Sequence, residues 1–125
     1  SITLSKHVPV HLIKAALVHD WSEAWFNDLA SPIKRECPDY KKAEKKCCDF
    51  MMHSMGILTE EHKELDAYDK AIYINERDEL FQNVYGRGMG DRRDGLDIDP
   101  IHFRERNWRD VKAEFLDLYE VYFNV

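Results

Sequence analysis

The sequence predicts an all-α protein. Apolar residues recur at helical spacing in several segments of the 125 residues, and no segment alternates apolar and polar residues as a half-exposed strand would. Proline and glycine separate these segments where helices are expected to begin and end. The chain is 44% hydrophobic and 34% charged, which is typical of one globular domain of this length.

The first two helices are predicted on either side of Pro9. The segment from Ile2 to Lys6 reads as the end of a helix, and Pro9 suits the first turn of the next one. From Val10 to about Asn27 the apolar positions keep helical spacing, so one continuous helix is expected there. Pro32 disfavours a helical conformation at the residue before it. We therefore expect residues 27–32 to form a loop.

Three longer helices are predicted in the rest of the chain. They span about residues 38–55, residues 59–82, and the residues from Arg104 or Asn107 onwards. Pro38 suits the first turn of one of them, and Gly56 suits the position just after its end. Between the last two helices lies an irregular segment, residues 85–95, which contains four of the five glycines.

Composition excludes several classes of function. The net charge of −6 and the pI of about 5.5 argue against long nucleic acid as a partner, because phosphate binding draws on a basic surface. No apolar run approaches the roughly 18 residues needed to span a bilayer, so no membrane partner is expected. The three cysteines form neither a disulfide framework nor a C-x-x-C zinc motif. A cytoplasmic protein is expected.

A His-Asp pair interrupts the apolar stripe of the second predicted helix. On a helix His19 and Glu23 share a face, and Asp20 lies about 100° further round the axis. Asp69 interrupts the helix predicted over residues 59–82 in the same way. Imidazole and carboxylates together suit a divalent ion such as Mn, Co, Ni, Fe, Zn or Mg. The alternative is a surface His-Asp pair and an aspartate in a salt bridge.

Three further charged residues follow closely along the chain. Glu23 is a candidate for activating a water or holding a nucleophile, and Asp28 for an acid or a substrate clamp. Lys34 is a candidate for contacting a phosphate. Each of the three is equally consistent with an ordinary solvated charge.

The glycine-rich segment does not match the dinucleotide-binding pattern. Residues 86–90, GRGMG, lack the G-x-G-x-x-G spacing and follow a predicted helix instead of a strand. One interpretation is a mobile flap that carries Arg87, Arg92 and Arg93. A plain solvent-exposed loop is the other.

Several of these segments together resemble a known family. Residues 19–34, HDWSEAWFNDLASPIK, resemble the HD-domain phosphohydrolase signature H-D-x-x-E-x-x-x-x-D-[LIV]-x-x-P-x-K. The most similar subgroup is the phage and bacterial 5′-deoxynucleotidase-like hydrolases. Residues 37–41, CPDYK, are similar to its L-P-D-Y-K segment, and DAYDKA at 66–71 with NERDEL at 75–80 resembles its motif A-D-x-x-A-L-x-x-E-R-R-D-L.

The resemblance implies an all-α HD-domain bundle of about five to six helices that holds a divalent metal with two histidines and two aspartates. His19 and Asp20 match the central pair of ligands, and Asp69 matches the late one. Glu23 and Asp28 match acidic residues used in catalysis and substrate positioning. The family's first histidine, within S-V-A-x-H-S, would fall just before residue 1. We therefore expect that an N-terminal segment is missing.

Substrate contacts are expected from Lys34, Pro32 and Arg87. Lys34 and Pro32 occupy the last two fixed positions of the first motif, and Lys34 has either a structural or a phosphate-binding role there. Arg87 belongs to the interpreted flap, whose arginines suit a triphosphate.

The expected function is metal-dependent hydrolysis of a deoxynucleotide. The substrate is a small-molecule nucleotide, either a dNMP that releases phosphate or a dNTP that releases triphosphate. A homo-oligomer is plausible, and a phage-encoded protein would act in the host cytoplasm. The alternative is a non-catalytic helical module that keeps the fold and binds a nucleotide or a protein.

Overall fold

The computed structural model describes residues 1–85, 98, 101–102 and 104–124. For residues 81–85 this description is limited to the backbone. Within these residues the secondary structure is helical, which confirms the all-α prediction. The α-helices are α1 Ile2–Ser5, α2 Ile13–Val18, α3 Glu23–Phe26, α4 Ser31–Glu36, α5 Pro38–Ser54, α6 Thr59–Tyr85 and α7 Trp108–Phe123. No helix in the described part of the chain is long and apolar enough to cross a membrane.

The second predicted helix is divided, so the expectation of one continuous helix from Val10 to about Asn27 is wrong. A short 3-10 turn at Val10–Leu12 precedes α2, and a tighter stretch separates α2 from α3. In that stretch the amide of Trp21 donates to the Val18 carbonyl at 3.1 Å, a bond to the third residue back. Such bonds narrow the helix and align residues three apart. The His-Asp pair therefore lies in a turn.

A helix not predicted from the sequence, α4, begins where a loop was expected. Pro32 lies in its first turn, where the missing N–H group would have no helical partner in any case. The helix begins at Ser31 with Pro32 in its first turn, and the loop between α3 and α4 shortens to residues 27–30. This corrects the predicted loop over residues 27–32.

The hydrophobic core is built around α2. Buried apolar side chains are contributed by α1, α2, α5 and α6 and by the segments before α2 and α6: Leu4, Leu12, Ala15, Ala16, Leu17, Val18, Met52, Ile57, Leu65, Ala71 and Ile72. Helix α2 packs against α1, α6 and α7, whereas α5 packs against α4 and α6. Packing on several sides fixes the C-terminal end of α2, and this in turn fixes the position of the turn that follows.

Helix α5 ends in the backbone arrangement that the sequence predicts. Gly56 has a φ of 75°, in the left-handed region. Its amide donates to the His53 carbonyl, and the amide of Ile57 donates to the Met52 carbonyl, both at 3.0 Å. These two bonds define a Schellman cap, in which buried Ile57 packs in the same cluster as Met52.

Replacing Gly56 with alanine should lower the free energy of unfolding by about 1–2 kcal/mol, because an L-residue is strained in this conformation. A Cβ atom at this position would meet nothing within 4 Å, so the cost is conformational and not steric. Gly56→Asn is the matched comparison, since asparagine tolerates the left-handed region better. Urea denaturation measures all three proteins. Equal stability of the three would contradict this account of the cap.

Candidate metal centre

The imidazole of His19 is the buried centre of the predicted site. It follows directly on α2, and its side chain is only 12% exposed. The ring Nδ1–H donates to the carbonyl oxygen of Ala16 at 2.9 Å. This hydrogen bond fixes the ring orientation and presents Nε2 to the site, the arrangement that metal-binding histidines share.

Two carboxylates from separate parts of the chain meet at that nitrogen. His19 Nε2 lies 2.9 Å from Oδ1 of Asp20 and 3.4 Å from Oδ1 of Asp69, which α6 supplies. The side chains of Asp20 and Asp69 are 45% and 54% exposed. The three residues predicted as ligands are therefore neighbours. Of the three side chains, only the imidazole is shielded from solvent.

The electrostatics of the cluster favour positive charge between the carboxylates. Burial alone would lower the pKa of His19, but hydrogen bonds to Asp20 and Asp69 outweigh it and raise that pKa to about 9. Burial would likewise raise the pKa of Asp20, and the bond to His19 lowers it instead. The two carboxylates thus stabilise positive charge at Nε2.

The donor set suits a divalent cation in its chemistry, while its present arrangement is that of an ion pair. No group of three or more His, Cys, Asp or Glu side chains within the described ranges is arranged to hold a metal ion. One imidazole nitrogen and two carboxylates are nevertheless ligands that first-row divalent ions and Mg²⁺ accept. Both aspartates are about half exposed, which leaves room for their side chains to rotate from the nitrogen toward a shared ion.

A second charged group lies beside the first. Burial raises the pKa of Glu23 on α3, and the negative charges of Asp20 and Asp28 raise it further. Asp28 is exposed in the loop after α3. Lys34 of α4 donates a hydrogen bond to Oε1 of Glu44 at 2.9 Å. Glu23, Asp28 and Lys34 therefore interact electrostatically with one another, and Glu23 also interacts with Asp20.

The remaining predicted substrate contacts fall in different places. Pro32 is exposed in the first turn of α4. Arg87, together with Arg92 and Arg93 of the interpreted flap, lies outside the described residues. The described structure therefore bears on Pro32 and Lys34 but not on the flap.

Aromatic side chains support the turn from the other side. The ring of Trp21, next to Asp20, stacks on Tyr119 of α7 with the centroids 5.6 Å apart. Tyr119 stacks in turn on Phe123 at 4.5 Å. Stacked aromatic pairs contribute stability beyond that of the apolar area that they bury. Helix α7 therefore stabilises the turn that carries the His-Asp pair.

Two residues beside the site were not predicted as site residues. The Tyr40 hydroxyl shares its proton between the carbonyls of Phe26 and Asn27, and Glu44 accepts a hydrogen bond from Lys34. Both lie on α5, four residues apart and thus on one face. For Tyr40 the signal was its place in the CPDYK segment, and for Glu44 it was this spacing.

Comparisons with known proteins give one partial similarity. No family model matches the chain. No solved structure matches it either. A curated protein of Escherichia coli (strain K12), "Uncharacterized protein YfdR", is 35% identical over 57 residues. The match covers 46% of this chain and 32% of YfdR, so the two share about a third of that protein's length. The name of YfdR states no activity, and this similarity assigns none to the chain.

Proposed function

We propose that the protein is a divalent-metal-dependent phosphohydrolase that acts on deoxynucleotides, as either a dNMP 5′-nucleotidase or a dNTP triphosphohydrolase. The observation that carries the proposal is the convergence of His19, Asp20 and Asp69 on one nitrogen atom. These are the same three residues that the resemblance to HD-domain phosphohydrolases implies as metal ligands. A functional site is where buried groups with shifted pKa values tend to cluster.

In this proposal His19, Asp20 and Asp69 would hold the cation. The bond from Nδ1 to the Ala16 carbonyl keeps the Nε2 lone pair directed at the site once its proton has left. A bound divalent cation lowers the pKa of a water and polarises a phosphoryl oxygen. The two aspartates neutralise most of its charge and leave coordination positions for water and substrate.

The neighbouring carboxylates of Glu23 and Asp28 would carry out the proton transfers of the reaction. Glu23 is half buried, and the negative charges of Asp20 and Asp28 raise its pKa, which suits a group that accepts a proton and returns it. Asp28, exposed in the next loop, would orient the substrate or share this proton.

Lys34 supplies a positive charge that would offset the repulsion between a bound phosphate and the neighbouring carboxylates. One of its N–H groups is donated to Glu44, and an ammonium has three donors. The two remaining donors are available to phosphoryl oxygens within the proposed site.

The test is a screen of dNMPs and dNTPs with the intact protein against Mn²⁺, Co²⁺, Ni²⁺, Zn²⁺, Fe²⁺ and Mg²⁺, with the products identified. Metal-dependent hydrolysis that stops when EDTA is added is expected. Released inorganic phosphate would indicate a monophosphatase, and released triphosphate a triphosphohydrolase. Absence of hydrolysis under every combination would contradict an enzymatic function on these substrates.

A second candidate function is a non-catalytic helical module that binds a nucleotide or a protein. One observation favours it: His19 Nε2 already pairs with Asp20 at 2.9 Å and with Asp69 at 3.4 Å, so both carboxylates have a partner without a metal ion. Metal analysis separates the two functions. An intact protein that retains no metal after supplementation would favour the module.

A further inference from the structure

The loop that carries Asp28 begins with a strained residue. Asn27 has a φ of 58° and a ψ of 165°, a combination that is open almost exclusively to glycine. Such a conformation persists only where surrounding contacts impose it. The conformation of Asn27 sets the direction in which the chain leaves α3, so whatever holds it also places Asp28.

Tyr40 of α5 makes those contacts. Its single hydroxyl proton is shared between the carbonyl of Phe26 and the carbonyl of Asn27, the latter at 3.1 Å. Its ring packs edge-to-face on Phe26, with the centroids 5.7 Å apart and the planes at 83°. One side chain of α5 thus holds the two residues that precede Asp28.

Glu44 holds the other end of the same segment. It lies one turn after Tyr40 on α5, and its side chain is only 13% exposed. Its Oε1 accepts the hydrogen bond from Lys34 of α4 at 2.9 Å. A charge-assisted bond to such a shielded carboxylate fixes the ammonium more firmly than an exposed pair would.

We propose that Tyr40 and Glu44 act together as a clamp that positions Asp28 and Lys34 for the reaction. In this α5 clamp neither residue touches the substrate, and both act through the segment 27–34 that they hold. The placement by the clamp stands on the geometry alone, whereas its effect on turnover rests on the proposed function.

The first experiment needs no activity. Tyr40→Phe removes the hydroxyl and keeps the ring, and Glu44→Gln removes the charge and keeps the size. Hydrogen exchange followed by mass spectrometry should become about 10-fold faster in a peptide covering residues 23–34, and remain unchanged in peptides from α2 and α6. Tyr73→Phe, at an exposed position on α6, is the matched control and should change nothing. Unchanged exchange in both clamp variants would overturn the clamp.

The second experiment separates positioning from simple structural support. Tyr40→Phe should lower kcat about 10- to 100-fold with KM and metal affinity within about twofold, because misplacement of a catalytic group costs turnover more than binding. Adding Asn27→Gly should restore much of kcat, since glycine adopts this conformation without help. Faster exchange with unchanged kcat would overturn the positioning role. A wild-type protein without hydrolase activity would refute the proposed function, and the exchange result would still decide whether the clamp exists.

Discussion

Replacing Asp20 with alanine is expected to abolish both metal binding and nucleotide hydrolysis in the intact protein. The substitution removes the carboxylate nearest to His19 Nε2, at 2.9 Å, and leaves only Asp69 at 3.4 Å. Loss of the cation forfeits several kcal/mol of transition-state stabilisation. Because each 1.36 kcal/mol is a factor of ten, kcat/KM should fall by about 10³-fold or more.

The fold should survive this change, since the Asp20 side chain is nearly half exposed. Circular dichroism and the urea midpoint verify that the variant remains folded. Asp66→Ala is the matched control, because Asp66 is an exposed carboxylate on α6 one turn before Asp69. The control should retain wild-type turnover. Hydrolysis by Asp20→Ala at the wild-type rate would show that the proposed mechanism is wrong.

Replacing Leu17 with alanine is expected to cost about 3–5 kcal/mol of the free energy of unfolding. Leu17 is fully buried in α2, at 0% exposure. Truncation there removes apolar contacts and leaves a cavity among helices that can collapse only partly. This loss is a large share of the 5–15 kcal/mol that typically stabilises a domain. Urea denaturation measures the change. The slope of the free energy of unfolding against urea concentration should be the same in the variant and the wild type.

The control for Leu17 is Leu116→Ala on α7, where the side chain is 47% exposed. This substitution should cost less than about 1 kcal/mol, because little apolar surface is returned to water. Similar costs at the two positions would contradict the central place of α2 in the core.

The longer helices could be predicted because their signals are local. Pro38 and Gly56 mark the two ends of α5, and Asn107 caps α7 by accepting a hydrogen bond from the amide of Arg109 at 2.9 Å. The break between α2 and α3 could not be predicted. His19 keeps helical backbone angles, and only the hydrogen-bond acceptor changes, from the fourth residue back to the third. Apolar spacing changes little across such a turn.

The candidate site divides in the same way. The positions of His19, Asp20 and Asp69 followed from carboxylates and an imidazole that interrupt apolar stripes, and the structure brings these three residues together. The hydrogen bond from Tyr40 to the Asn27 carbonyl could not be predicted, because a contact between a helix side chain and a distant loop carbonyl leaves no periodic pattern in the sequence. The exposure of Asp69 depends on how α6 rotates against α2, which is likewise a tertiary property.

The most direct test is equilibrium dialysis of the metal-free intact protein against Mn²⁺. The account predicts one ion bound per chain, and a loss of affinity of at least about 100-fold in Asp69→Asn, where a carboxylate ligand is replaced by an amide. Asp66→Asn, an exposed carboxylate on the same helix, should bind as the wild type does. Equal binding by the wild type and Asp69→Asn, or no binding by either, would contradict a metal centre formed by His19, Asp20 and Asp69.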